Sequence, residues 1–267
     1  MLNKISQSAA QAFDTNYKIG LLATTDHKGD PHITLLSTLK SKGEDKMMFA
    51  NFIVGQSNEF MQKDTRCGFL ILSADQDFWT GRMDYTNFLD SGEDYEAYNR
   101  TSLFRYNSYM GADSVYYFDL KDISEGRALD MFGIVINAIG VSLARLFRKK
   151  SNIEEGLSLW ALELLQKLDS LCFISWHDKE GYPVLAPCIQ LQALDRKTLI
   201  LSPHPYSELL KSIEPGARVA VYGANLQFEA VLAKGEFSGF KGGFATIDID
   251  RIYNPIPPKH CWIYGDN

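Results

Sequence analysis

The chain has 267 residues, 45% of them hydrophobic, and a formal net charge of -6. That length holds one large domain or two small ones, and the apolar fraction is that of a folded protein. The acidic balance excludes a general nucleic-acid binder, which needs a basic face, but leaves room for a local basic pocket.

Met1 to Asn16 is polar and lacks the apolar run of a signal peptide, so a cytoplasmic location is the expectation. Ile5, Ala9, Ala12 and Phe13 predict a short helix over residues 3–16. Ile19 to Thr25 reads as a strand, residues 27–30 as a turn with Gly29, and Pro31 to Leu39 as the return strand. Met47 to Phe52 is a third strand, and Ser57 reads as the N-cap of a helix through Lys63. Cys67 to Ser73, a long strand from Phe78, and Val115 to Asp122 complete a module.

Met131 to Leu146 is apolar and is followed by Arg148-Lys149-Lys150. It is shorter than the ~20 apolar residues of a spanning helix, and Asn137 and Arg145 interrupt it. It reads as a helix buried between modules or subunits, with a peripheral membrane helix as the second reading. After a break near Ser151-Asn152, the positions Ile153, Leu157, Trp160, Leu164 and Leu168 predict another helix.

The chain then repeats itself. Asp26, Gly29 and Pro31 recur as Asp178, Gly181 and Pro183 between apolar strands, so one hairpin is used twice. Leu171 to Trp176 and Val184 to Leu191 form the second hairpin, Thr198 to Ser202 the third strand, and Ser207 caps a helix over residues 208–213. Val219 to Tyr222 matches Cys67 to Ser73, Phe228 onward matches Phe78 onward, and Ala245 to Tyr253 closes the copy. The offset is 150 residues at Phe78 and Phe228 but 129 at Phe118 and Ile247, so the first copy carries 21 more residues, rich in Tyr, Asn, Asp and Glu. Extra length on a repeated scaffold sits in loops, which carry specificity.

This predicts a mainly β protein: residues 1–129 as one barrel, 130–167 as a helical connector, and 168–267 as a second, degenerate barrel. Each barrel is expected to have six strands. The motifs Leu21-Leu-Ala-Thr-Thr-Asp26, Gly29-x-Pro31-His, Met48-Phe-Ala-Asn-Phe52, Ser57-Asn-Glu-Phe and Gly68-Phe-Leu-Ile-Leu72 occur in this order. In order and spacing the chain resembles the FMN-binding split barrel, the fold of pyridoxamine 5'-phosphate oxidase-like proteins, here in tandem. The resemblance implies an FMN cofactor and a flavin-dependent oxidoreductase of unknown substrate. It implies cofactor contacts from Ile33, Thr34, Leu35 and Ser37 on the second strand, Ala50 and Asn51 at the end of the third, Gln56, Ser57 and Asn58 at the helix entrance, and Trp79 on the long strand. A small-molecule substrate or electron donor, and a homodimer or intramolecular pseudo-dimer, follow from the same resemblance. A helix N-terminus independently suits a phosphate, because its free N–H groups and dipole attract an anion.

The chain departs from that family's oxidases. They place basic residues on the second strand and a Ser-Arg-Lys run at the helix, where this chain has Thr34, Ser37 and Ser57-Asn58-Glu59. Lys63, Lys40 or Arg66 would have to compensate. Their C-terminal Arg-x-His signature is absent from Pro255-Ile-Pro-Pro-Lys-His-Cys-Trp-Ile-Tyr264, which argues against pyridoxamine 5'-phosphate oxidase activity itself. The second copy has Pro203 and Pro205 near the phosphate position, which removes N–H donors.

Other chemistry has weaker support. None of the five histidines has a metal spacing, and no metal is expected. His32 lies beside the cofactor strand, and His260 motivates an alternative haem-binding or haem-degrading protein. Arg82, Tyr85, Arg105, Tyr106 and Tyr109 are candidates for a substrate pocket. The missing basic residues motivate a third reading, a cofactor-free binding module. Cys67, Cys172 and Cys188 lie in apolar strands and read as reduced core thiols.

Overall fold

The computed structural model describes residues 1–52, 55–101, 111–148, 155–225, 227, 229–255 and 261–265. Phe228, His260, Arg105, Tyr106, Tyr109, Ile153 and the Ser151-Asn152 break lie outside the described residues.

The protein is mainly β, with two antiparallel sheets of the same topology. In chain order the first part contains α1 (Gln7–Phe13), β1 (Lys18–Thr25), β2 (Pro31–Leu35), β3 (Lys40–Ser41), β4 (Lys46–Asn51), α2 (Gln56–Lys63), β5 (Arg66–Ser73), β6 (Asp77–Leu89), α3 (Glu93–Asn99), β7 (Ser114–Ile123) and β8 (Arg127–Ala128). There follow α4 (Met131–Phe147) and α5 (Leu159–Leu164). The second part contains β9 (Leu171–His177), β10 (Pro183–Pro187), β11 (Gln192–Ala193), β12 (Thr198–Leu201), α6 (Ser207–Leu210), β13 (Arg218–Ala224), β14 (Ala230–Phe237), β15 (Ala245–Asn254) and β16 (Cys261–Tyr264). The first sheet runs β2-β1-β5-β6-β7-β4-β3 and the second β10-β9-β13-β14-β15-β12-β11. Each has eight strands rather than six: two short strands join the six expected ones. The eighth differs, since β8 pairs β6 while β16 pairs β15.

Closure follows from connectivity. β2 and β3 lie at opposite ends of their sheet, yet only residues 36–39 join them, a span of at most ~18 Å. The sheet must therefore curl until its edges approach, which makes it a barrel with a seam. Hydrogen bonds hold the connecting segment on both sides: Leu36 N donates to Gly20 O of β1 at 2.7 Å, and Thr38 Oγ1 donates to Ala50 O of β4 at 2.8 Å. The second barrel repeats both, with Cys188 N to Cys172 O at 2.8 Å and Gln190 Nε2 to Ser202 O at 2.7 Å. The turn ends β2 at Leu35, so Ser37 is not a strand residue as expected. Gly20 permits the turn, because a Cβ there would lie 2.3 Å from Leu36 O.

The strand ladders correct the alignment of the two copies. Ala23 faces Gly68 where Ser175 faces Ala220, and Leu72 faces Phe78 where Ala224 faces Ala230. One offset of 152 residues therefore runs from β1 to β6, and even the β-bulges coincide, at Arg82/Met83 and Lys234/Gly235. Phe78 corresponds to Ala230, not Phe228. The offset falls to 129 at Phe118 and Ile247, which face Met47 and Leu199. The insert is therefore 23 residues, and it contains α3.

The chain divides into two compact units. Unit 1 comprises Met1–His27, Thr34–Leu129 and Lys179–Val184; unit 2 comprises Lys28–Ile33, Asp130–Asp178 and Leu185–Asn267. Inside unit 1, Leu22, Met47, Phe49, Met61, Phe69, Ile71 and Phe118 form the barrel core with Phe13 of α1. α3 covers the outer face of β4, where Met48, Ala50, Tyr98, Ala112 and Val115 cluster. Inside unit 2 the equivalent face is covered by α4, through Val141 on Leu194 and Ile200. Only that inner face of α4 is buried within the chain; Phe132, Ile136, Ile139, Leu143 and Leu146 are exposed. α5 is shorter than predicted because Gly156, at φ 112, interrupts the chain where a Cβ would lie 2.1 Å from Arg196 O. Ser6, Asp130 and Ser158 cap α1, α4 and α5 through their side chains.

Cys67, Cys172 and Cys188 are buried free thiols, and burial pushes the Cys172 thiol up to about 12. Among the described residues no helix is long and apolar enough to cross a membrane, and no cluster of His, Cys, Asp or Glu is arranged to hold a metal.

Candidate functional site

The site is built where β4 ends and α2 begins, in unit 1. β4 delivers Asn51, and Gly55, in extended conformation, is the N-cap of α2 with no side-chain cap. Ser57 is therefore the second residue of the helix rather than its cap. Its hydroxyl turns across to β2 and shares a 2.5 Å hydrogen bond with Thr34 Oγ1. The first-turn N–H groups are left without a side-chain partner, and the space where Gly55 would carry a Cβ is open to 4 Å. The Asn58 N–H of this turn donates to Gly55 O at 3.2 Å; the remaining N–H donors and the helix dipole suit an anion.

Other polar groups gather beside it. Asn58 is buried and donates from Nδ2 to Tyr116 OH at 2.7 Å. Tyr116 is held in place by stacking on Phe49, with ring centroids 5.1 Å apart. Asn51 Nδ2 and Gln56 Oε1 are buried without a hydrogen-bond partner. Leaving such groups unsatisfied costs about 1–3 kcal/mol each, the kind of cost a ligand relieves.

The group is electrically neutral. The cations expected to compensate are engaged elsewhere. Arg66 grips Asp64 at 2.9 and 2.7 Å and reaches Glu180 O at 2.9 Å. Lys40 lies 3.5 Å from Asp14 and 4.6 Å from the centre of the Tyr98 ring. Lys63 is in the last turn of α2, the opposite end from these donors, and Glu59 is in the first. Arg82, a pocket candidate, is bound to Asp122 and Glu180, each at 2.9 Å. Tyr85 packs its ring against Tyr116 and Phe118.

The structure brings together Thr34, Asn51, Gln56, Ser57 and Asn58. Leu35 and Ser37 are exposed, and Ile33 is buried and falls in unit 2. The Ala50 side chain lies in the cluster under α3, while its carbonyl accepts the seam bond from Thr38. Trp79 does not join the group. Its indole packs edge-on against Phe13 and lines a separate groove of about 670 Å³ with residues of α1, Ser124 and Glu125. His32 packs against Tyr253 within unit 2.

Sequence reasoning misses Tyr116 and Thr38. Tyr116 alternates with Phe118 on the core side of β7, and a phenol pointed inward needs a hydrogen-bond partner. That signal is legible but weak. Tyr98, whose hydroxyl donates to Thr38 O at 2.9 Å, lies in the insert and has no counterpart to align.

In the second barrel the 152-residue register puts Ala186, Pro203, Leu209 and Leu210 where Thr34, Asn51, Ser57 and Asn58 stand, and Ala245 answers Tyr116. Ser207, expected to match Ser57 and to cap its helix, falls at the position of Gly55; Tyr206 is the N-cap of α6, without a side-chain bond. As a chemical device the first-barrel group can bind an anion through N–H, hydroxyl and amide donors. Among the described residues it contains no nucleophile paired with a base.

No family model matches the sequence, and no curated protein matches it significantly. Among solved structures the chain is similar to an FMN-binding protein from Syntrophomonas wolfei subsp. wolfei, at 19% identity over 45% of this chain and 84% of that one, with a TM-score of 0.39. It is similar to HupZ from Group A Streptococcus, at 16% identity over 45% of this chain and 91% of that one, with a TM-score of 0.37. It is also similar to a Clostridium acetobutylicum protein described as related to general stress protein 26, of the pyridoxinephosphate oxidase family, at 13% identity over 42% of this chain and 86% of that one, with a TM-score of 0.33.

Proposed function

We propose that the first barrel binds FMN and that the protein is a flavin-dependent oxidoreductase acting on a small molecule. One observation carries the reading: the uncapped start of α2 opens beside Thr34 and Ser57, with Asn51 Nδ2 and Gln56 Oε1 buried and unsatisfied. These residues suit a phosphate and the polar edge of a flavin. The N–H groups of α2 and the Ser57 hydroxyl hold the phosphate. Thr34 orients Ser57, and Tyr116 orients Asn58. Asn51 and Gln56 supply a donor and an acceptor to the remaining polar atoms. Bound flavin supplies the hydride or electron transfer, for which the protein need only hold, orient and exclude water.

The absence of a cation in the group, among the described residues, predicts an affinity below that of sites in which Arg or Lys grips the phosphate. Titration of the purified protein with FMN tests the reading: binding quenches flavin fluorescence and saturates at one equivalent. No quenching at high-micromolar FMN leaves the cofactor-free binding module as the reading.

A further inference from the structure

We infer that the exposed face of α4 is the surface through which two copies of this chain pair. Phe132, Ile136, Ile139, Leu143 and Leu146 follow one another at intervals of four, three, four and three, the spacing of a helix–helix seam. All five are exposed, at 78, 50, 48, 54 and 74%. The opposite face needs no further partner. Ile134, Ala138 and Val141 are buried there, Asn137 accepts from Ser202, and Arg145 and Ser142 meet Gln192.

The seam has the composition of a self-pairing surface. It carries no charge, and Gly140 flanks it, letting a second backbone approach. Gly140 costs helix stability, and a Cβ there would meet nothing within 4 Å. Its neighbours in this chain therefore do not explain it. Met131, Phe132, Val135, Ile136, Ile139, Leu143, Leu146 and Phe147 are all exposed. Each offers on the order of 100 Å², together about the ~800 Å² per partner of a standard interface. The seam is too large an apolar patch for a monomer. An interfacial membrane helix would carry cations along its polar face, but that face is packed on the sheet here. The cations are Arg145, bound to Gln192 on the packed face, and Arg148-Lys149-Lys150 after the helix. Antiparallel pairing separates the two basic clusters and opposes the two helix dipoles.

Sedimentation velocity of the full chain over a micromolar range tests the inference, with binding of phosphatidylserine vesicles measured in parallel. The wild type is expected at twice its 30.1 kDa mass. Ile139→Glu/Leu143→Glu, two charges placed in the seam, is expected to weaken pairing at least about 100-fold. Gly140→Arg, which fills open space and raises helix propensity, tests the same face without threatening the fold. Both variants are expected to keep the wild-type circular dichroism and FMN titration. A wild type that stays monomeric, variants that dimerise unchanged, or a monomer that sediments with the vesicles would each overturn the proposal.

Discussion

The two barrels close in the same way and differ in what they do with the space beside the seam. Thr38 and Gln190, at equivalent positions, make the same bond to the third-strand carbonyl of Ala50 or Ser202. Yet Thr34, Ser57, Asn58 and Tyr116 of the first barrel answer to Ala186, Leu209, Leu210 and Ala245 of the second. Leu210 is fully buried. Barrel closure is a backbone requirement and survives in both copies. The polar group is not needed for closure, and the second copy has filled its place with apolar side chains. The outer covers diverge too, α3 in one unit and α4 in the other.

The largest expected difference concerns the hairpin turns. Asp30 accepts from Arg218 at 3.0 and 2.8 Å and also binds Arg251, whereas the equivalent Tyr182 donates its hydroxyl to the Asp84 carboxylate, 2.9 and 3.0 Å from its two oxygens. Breaking a buried ion cluster costs about 3–5 kcal/mol, against about 1.5–3 kcal/mol for a hydrogen bond to a charged group. Asp30→Asn is therefore expected to destabilise the protein more than Tyr182→Phe in urea unfolding. Equal losses would end the contrast between the turns. Burial alone would raise the Asp30 carboxyl, but Arg218 and Arg251 outweigh it and hold it low. Its contribution is thus complete above pH ~4 and lost as pH falls through the depressed native value. Asp30→Asn is expected to flatten that acid limb of the stability curve.

Next comes cofactor binding. Ser57→Leu/Asn58→Leu gives the first barrel the residues of the second, and FMN affinity is expected to fall at least about 100-fold as hydrogen bonds to a charged group are lost and the space is filled. Retention of affinity would place FMN elsewhere. The single change Ser57→Ala removes one such bond and is expected to weaken FMN by about one to two powers of ten. Because Ser57 does not cap α2, its stability cost is limited to the lost bond to Thr34, ~1 kcal/mol. Ser207→Ala in the second barrel is expected to leave FMN titration unchanged.

The smallest effect sharpens the similarity. Thr38→Val and Gln190→Leu each remove the seam bond and are expected to cost a similar ~1–2 kcal/mol in urea unfolding. A large cost in only one barrel would mean that the two seams are not equivalent.

Much of the fold is legible in the sequence because its signals are local. Gly29 and Gly181 sit in tight turns at positive φ, and alternating apolar runs read as strands without knowledge of the ladders. The repeat follows from those turns. Alignment beyond them slips by two residues because it rests on chance identities, Phe78 with Phe228 and Ser57 with Ser207. Hydrogen-bond register, not residue identity, decides which positions correspond. The site is half legible: Thr34, Asn51, Gln56, Ser57 and Asn58 can be named from the sequence, Tyr116 cannot, and Trp79 lies in another groove.

The sequence by itself determined the duplication, the mainly β class, Pro203 and Pro205 of the second copy and the lack of an oxidase-like basic run, since each depends on residue types and short spacings. Tertiary structure decided the rest. Closure ended β2 at Leu35 and drew Thr34 onto Ser57. The helix began at Gln56, so Ser57 turned its hydroxyl to Thr34 rather than capping the helix. Pairing of distant strands carried Tyr116 to Asn58 and left the seam of α4 outward. These outcomes depend on which backbone groups meet across long sequence separations, and no local pattern contains that information.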